Sequence, residues 1–216
     1  LRKKQKNLDS LYNIKKVNPR HPQAKLIEDA ALIIKKGGLV VFPTTSLYGI
    51  GCDAFNIKAL EKLFKIKKRS LKNPVLVLIH DKKTLNILVK NIPDSADRIM
   101  DNFWPGGITI VFKAKSTLPS ILTSGTGKIG VRLCKHPVSH ALTRSFSGPI
   151  TGTSANISGR PGCADISQLG HEISSSVDLI LDSGTLKGGT GSTIIDVTGH
   201  MPVILRQGIT KISDVY

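Results

Sequence analysis

The apolar residues of this chain come in short runs set between amphipathic stretches, and that spacing constrains the fold more than any other feature. The runs are "LVVF" (39–42), "PVLVLI" (74–79), "GITIVFKA" (107–114), "KIGVRL" (128–133), "VDLILD" (177–182), "STIIDV" (192–197) and "PVILR" (202–206). Runs of this length bounded by Gly and Pro read as strands. Ahead of the first run, "PQAKLIEDAALIIKKGG" sets Leu26, Ala30 and Ile33/Ile34 on one face of a helix, with Pro22 suited to its first turn and Gly37-Gly38 to its end. "NIKALEKLFKIKKR" repeats the pattern, with Ile57, Leu60 and Phe64 inside and Lys58, Lys62 and Lys65 outside. A charged helical stretch is expected over about 82–103, a short helix at "PVSHALTRSF" entered at His136, and a strand at "GPITGT". Helices alternate with strands early and strands follow one another late. This predicts an α/β fold: a single domain with a twisted, mixed parallel/antiparallel sheet flanked by helices. Residues 1–21 read as a basic N-terminal arm and residues 22–216 as the domain.

Bulk properties exclude several classes. No apolar run approaches the roughly 18 residues of a membrane span. The basic start "LRKKQKNLDSLY" has no apolar segment behind it, so it does not read as a secretory signal. Cys52, Cys134 and Cys163 are far apart, which disfavours a disulfide framework or zinc ribbon and fits a reducing cytoplasm. The 31 Lys+Arg against 15 Asp+Glu give a formal charge of +16, which favours a polyanionic partner such as RNA or a nucleotide.

Several tempting motifs fail. "SGTGKIG" (124–130) lacks the first Gly of a Walker loop, where Leu122 stands, and its Ser/Thr, where Ile129 stands. "GIGCDA" (49–54) starts too far past Phe42 for a dinucleotide fingerprint. "HPVSH" (136–140) lacks the Glu of a zinc-protease helix. No Gly-x-Ser-x-Gly elbow is present.

What remains are polar residues at the ends of elements. Thr44, Thr45 and Ser46 follow the first strand, and Lys67, Lys68 and Arg69 follow a helix. Arg132 lies in "IGVRL", "TGTSANISGRP" (151–161) follows a strand, Ser192 and Thr193 open another, and Arg206 lies in "LRQG"; Asp196 is a candidate metal or substrate contact. Strand ends in α/β sheets hold ligands. Gly/Ser turns offer N–H groups to phosphate, and arginines offer forked donors. The residues alone point to an anionic substrate, placed and neutralised rather than attacked by an enzyme nucleophile. They leave the reaction open.

The ordered motifs "FPTTSLYGIG", "KIKKRSLKNPVLVLI", "WPGGITIVFKA", "GVRLCKHP", "TSANISGRP", "STIIDV" and "ILRQG" resemble the YrdC family over about residues 22–210. The resemblance implies a reaction: L-threonine, bicarbonate (or CO2) and ATP, with Mg2+, condense to threonylcarbamoyl-adenylate and pyrophosphate. A separate transferase complex then carries the group to the tRNA adenosine beside the anticodon. It also implies roles. Thr44, Arg132, Gly152 and Ser192 match threonine-side positions. Lys67 and Arg69 match the catalytic Lys-x-Arg pair at the ATP phosphates. Asn73, Lys128, Ser154, Asn156 and Arg206 match ATP-side positions. The chain departs from the family pattern at Thr45-Ser46, where an acid and a threonine are usual, and at Ser70 and Thr153, which replace prolines. It resembles the short, single-domain form. Two other readings are a carbamoyl-adenylate module of the hydrogenase-maturation type, whose acylphosphatase domain and zinc-binding cysteine pairs are not in this sequence, and an RNA-binding protein with a degenerate nucleotide site.

Overall fold

The computed structural model describes residues 13–212; residues 1–12 of the expected basic arm lie outside it. The chain runs β1 (Ile14–Lys16), α1 (Ala24–Lys35), β2 (Val40–Pro43), β3 (Tyr48–Gly51), α2 (Ile57–Ile66), β4 (Val77–Ile79), α3 (Leu85–Leu88), α4 (Asp94–Phe103) and β5 (Ile108–Lys113). It continues α5 (Ser120–Thr123), β6 (Lys128–Leu133), α6 (Pro137–Phe146), β7 (Ile150–Thr151), β8 (Thr153–Ser154), α7 (His171–Ser174), β9 (Leu179–Asp182), β10 (Thr193–Asp196) and β11 (Val203–Arg206).

The strands form two mixed sheets rather than one. A five-stranded sheet has the order β1-β9-β2-β3-β8, and a six-stranded sheet has the order β11-β10-β5-β6-β4-β7. In the first, β1 and β2 run parallel to β9 while β3 is antiparallel to both β2 and β8. In the second, β10 is parallel to β5 and β4 to β6, with antiparallel pairs between them and at both edges.

The continuous apolar run at β2 is explained by burial on both sides. Val41 packs with Ile50, Leu60 and Leu63, whereas Val40 and Phe42 pack with Ala30, Ile34 and Leu142 of α1 and α6. On α1 the buried stripe is Ile27, Ala30, Ala31 and Ile34; Ala30 and Ile34 fall where expected, while Leu26 and Ile33 are half-buried. On α2 the buried residues are Ala59, Leu60, Leu63 and Phe64, while Ile57, expected inside, is exposed. Ile57 is the first residue of α2, after the Asn56 cap, whose Oδ1 accepts the Ala59 N–H at 3.1 Å. His136 opens α6 as expected, its Nδ1 accepting the Val138 N–H at 3.2 Å.

Three differences from the sequence reading concern turns. Residues 48–51, outside every strand expected from the sequence, are strand β3, closing a hairpin with β2 over residues 44–47. The helical stretch at 82–103 is broken where Val89 bridges Ala114 and Pro93 caps α4. The strand expected at "GPITGT" splits at Gly152, so that β7 joins one sheet and β8 the other. A Cβ at Gly152 would stand 2.4 Å from Leu78 Cγ, so only glycine fits this seam.

Candidate active site

The six-stranded sheet has one face on the core and the other on a cavity of about 570 Å³. Ile108, Ile110 and Phe112 of β5 join the core, while Thr109 and Val111 line the cavity. On β6, Ile129, Val131 and Leu133 join the core, and Lys128, Gly130 and Arg132 line the cavity. The period of two follows from strand geometry. Register sets Asp196, Val111 and Gly130 in one row across β10, β5 and β6. Walls come from the β2–β3 hairpin, from Arg69 and Pro74 after α2, from β8, and from the loop entering β10.

Four cations line this cavity, each fixed differently. Arg69 donates from Nε to the Asn73 carbonyl at 3.0 Å and from Nη2 to the Pro74 carbonyl at 2.7 Å. Arg206 donates from Nε and Nη2 to the Ser192 carbonyl at 3.2 and 2.7 Å. Lys128 pairs with Asp196 Oδ2 at 2.7 Å. Arg132 is 8% exposed, its Nε is buried with no hydrogen-bond partner, and no carboxylate pairs with it among the described residues. Burial, with Arg206 nearby, pushes the Arg132 guanidinium below its ordinary value, though an arginine stays protonated in proteins. A buried, unpartnered guanidinium is costly unless an anion completes it.

Lys67 is only 1% exposed and does not line the cavity. Its Nζ donates to the Ser154 carbonyl at 2.5 Å, the Asn156 carbonyl at 2.6 Å and Asn156 Oδ1 at 3.3 Å. Ser154 Oγ donates to Asn156 Oδ1 at 2.6 Å, and Asn156 Nδ2 donates to the Arg160 carbonyl. Lys67 therefore pins the "SANISG" turn from behind, and Ser154 carries that turn to the cavity. Burial, reinforced by Arg69, pulls the Lys67 ammonium down to about 7.

Thr44, Arg69, Lys128, Arg132, Gly152, Ser154, Ser192 and Arg206 thus meet in one cavity. Lys67, Asn73 and Asn156 do not line it: Lys67 and Asn156 form its backing, and Asn73 contributes a carbonyl that orients Arg69. Thr44 Oγ1 donates to the Leu47 carbonyl at 2.7 Å, closing the hairpin tip. The sequence reading missed Thr109, whose Oγ1 is 2.9 Å from Ser192 Oγ, and Gly130. Both were findable by continuing the period-two pattern from Arg132 and across the ladder. Tyr48 also lines the cavity, and its hydroxyl accepts the Ser183 N–H at 2.9 Å and donates to the Gly184 carbonyl at 2.7 Å.

Comparison with known proteins decides the family. The profile of the Sua5/YciO/YrdC family, described as "Telomere recombination", matches residues 32–208. The chain belongs to this family. A family relative, the threonylcarbamoyl-AMP synthase of Pyrococcus abyssi, is 35% identical over 84% of this chain and 54% of its own length. A putative threonylcarbamoyl-AMP synthase of Mycobacterium tuberculosis is 39% identical over 84% of this chain and 83% of its own. The crystal structure of P. abyssi Sua5 complexed with L-threonine superposes with a TM-score of 0.86 at 33% identity, covering 90% of this chain and 57% of that one. The chain thus spans about half the length of the Pyrococcus family member.

Proposed function

We propose that this chain is an L-threonylcarbamoyladenylate synthase, which condenses L-threonine, bicarbonate (or CO2) and ATP and releases pyrophosphate. The observation that carries this reading is Arg132, a buried guanidinium with no acidic partner, facing a cavity lined by three more cations. A forked donor suits a carboxylate. Family membership and the Sua5 complex with L-threonine support the threonine carboxylate as its partner. Thr44, Gly152 and Ser192 stand around the same substrate.

On the nucleotide side, Arg69, Lys128, Ser154 and Arg206 face ATP, with Lys67 and Asn156 holding Ser154 and the Asn73 carbonyl holding Arg69 from behind. The threonine amine and CO2 first give a carbamate. A carbamate oxygen then attacks the α-phosphorus, the bond to the β-phosphate bridging oxygen breaks, and pyrophosphate leaves. The residues orient both reactants and neutralise charge on the leaving group, with no covalent enzyme intermediate. Among the described residues no three His, Cys, Asp or Glu side chains cluster to hold a metal, and Asp196 is held by Lys128. Mg2+ fits this site as an ion carried on the ATP phosphates.

The product serves a transferase complex that modifies tRNA, and the +16 charge supports a surface that meets RNA in the cytoplasm. No helix of the described residues is long and apolar enough to cross a membrane. The test is pyrophosphate release from ATP. It should require both L-threonine and bicarbonate; release that is absent, or indifferent to threonine, refutes the reading.

A further inference from the structure

Asp196 is the only carboxylate among the described residues that line the cavity. A site for anionic substrates loses affinity by carrying a negative charge, so this residue needs a reason. It lies at the end of β10 with its side chain 13% exposed. Its Oδ1 accepts the Thr198 N–H at 2.8 Å, and its Oδ2 holds the Lys128 ammonium at 2.7 Å. One oxygen is therefore tied to the backbone and the other to a cation.

Lys128 needs such an anchor. Its side chain is 45% exposed, at the start of β6, and a long flexible ammonium there otherwise samples solvent-directed rotamers. Arg69 and Arg206 are oriented by backbone carbonyls, whereas Lys128 is oriented by a charge. The row between them leaves the path open. Asp196 sits beside Val111, Val111 sits beside Gly130, and Gly130 has no side chain to block Lys128 from its own strand. A part-exposed ion pair of this kind adds little to stability, so the pair is poorly explained as scaffolding.

We propose that Asp196 is a positioning residue for the nucleotide: it aims Lys128 at the phosphate-bearing substrate and takes no part in recognising threonine. This rests on the synthase reading for the identity of the second substrate. The experiment compares Asp196→Asn, Lys128→Met, the double variant and Asp196→Glu. It reads binding of a non-hydrolysable ATP analogue by calorimetry, the KM of each substrate, and Tm.

Asp196→Asn and Lys128→Met should each weaken analogue binding and raise the ATP KM by about 5–20-fold, with the threonine KM unchanged within about twofold. The double variant should be no worse than the worse single variant, and Asp196→Glu should recover part of the loss. Tm should shift by no more than about 2 °C in the single variants. Tighter analogue binding in Asp196→Asn, an equal rise in both KM values, additive losses, or a large fall in Tm would each overturn the proposal. Analogue binding is read without turnover. Absence of threonine-dependent pyrophosphate release in the parent protein would therefore refute the synthase reading while leaving the Asp196–Lys128 result interpretable by itself.

Discussion

Lys67 lies out of water with its ammonium against two carbonyls and an amide oxygen. Burial, with Arg69 adding to it, brings its pKa to about 7, against about 10.4 in an unfolded chain. Between these values the unfolded state binds more protons than the native state, so this residue makes stability rise with pH from about 7 towards 10. Lys67→Met should flatten that rise, as read from Tm at pH 7 and pH 9, and an unchanged slope would remove Lys67 as its source. Arg132→Ala belongs to the same scale. It should raise the threonine KM far more than the ATP KM and lower kcat/KM by about 10²–10³; the opposite split would reassign the arginine. The types of these residues were legible in the sequence, but not their depth. Nothing local to "KIKKR" says that Lys67 will meet residues 154–156, because that contact depends on how distant segments pack.

At the scale of elements, the short apolar runs and the two amphipathic helices were readable because each carries its own pattern. Strand β3 was not: "YGIG" has two glycines and the look of a turn, and only pairing with β2 and β8 makes it a strand. Gly51 fits there because a Cβ would stand 2.4 Å from the Thr151 carbonyl oxygen. The division into two sheets was equally illegible: at Gly152, inside one expected strand, the chain leaves one sheet for the other. Gly152→Ala would drive a methyl into Leu78 of β4, beside the edge strand β7 of the six-stranded sheet. It should destabilise by about 1–3 kcal/mol in denaturant titrations. Leu78→Ala in the same chain should relieve part of that clash, so that the two losses add to more than the double variant shows.

For the whole molecule, charge is the dominant feature. Several exposed lysines are paired, as in Lys25 with Asp29, Lys62 with Asp178 and Lys82 with Asp101, but the acidic residues are too few to balance the +16 total. If phosphate contacts carry RNA binding, affinity falls steeply with salt, by about 10³–10⁵ between 50 and 200 mM for six to ten contacts. A nearly flat salt dependence would count against an RNA-facing surface. Arg132, 8% exposed, should respond less to salt than Lys128 and Arg206, which stand open to solvent.

Gly130 leaves bare main chain in the cavity floor. A methyl there would lie 3.2 Å from Thr109 Cγ2 and 3.4 Å from Leu76 Cβ, asking each neighbour to yield only a few tenths of an ångström. The floor therefore offers a dial for engineering. Bulk added at Gly130 would narrow the cavity, but it would also enter the row across which Lys128 reaches Asp196, so volume and the charge pair change together.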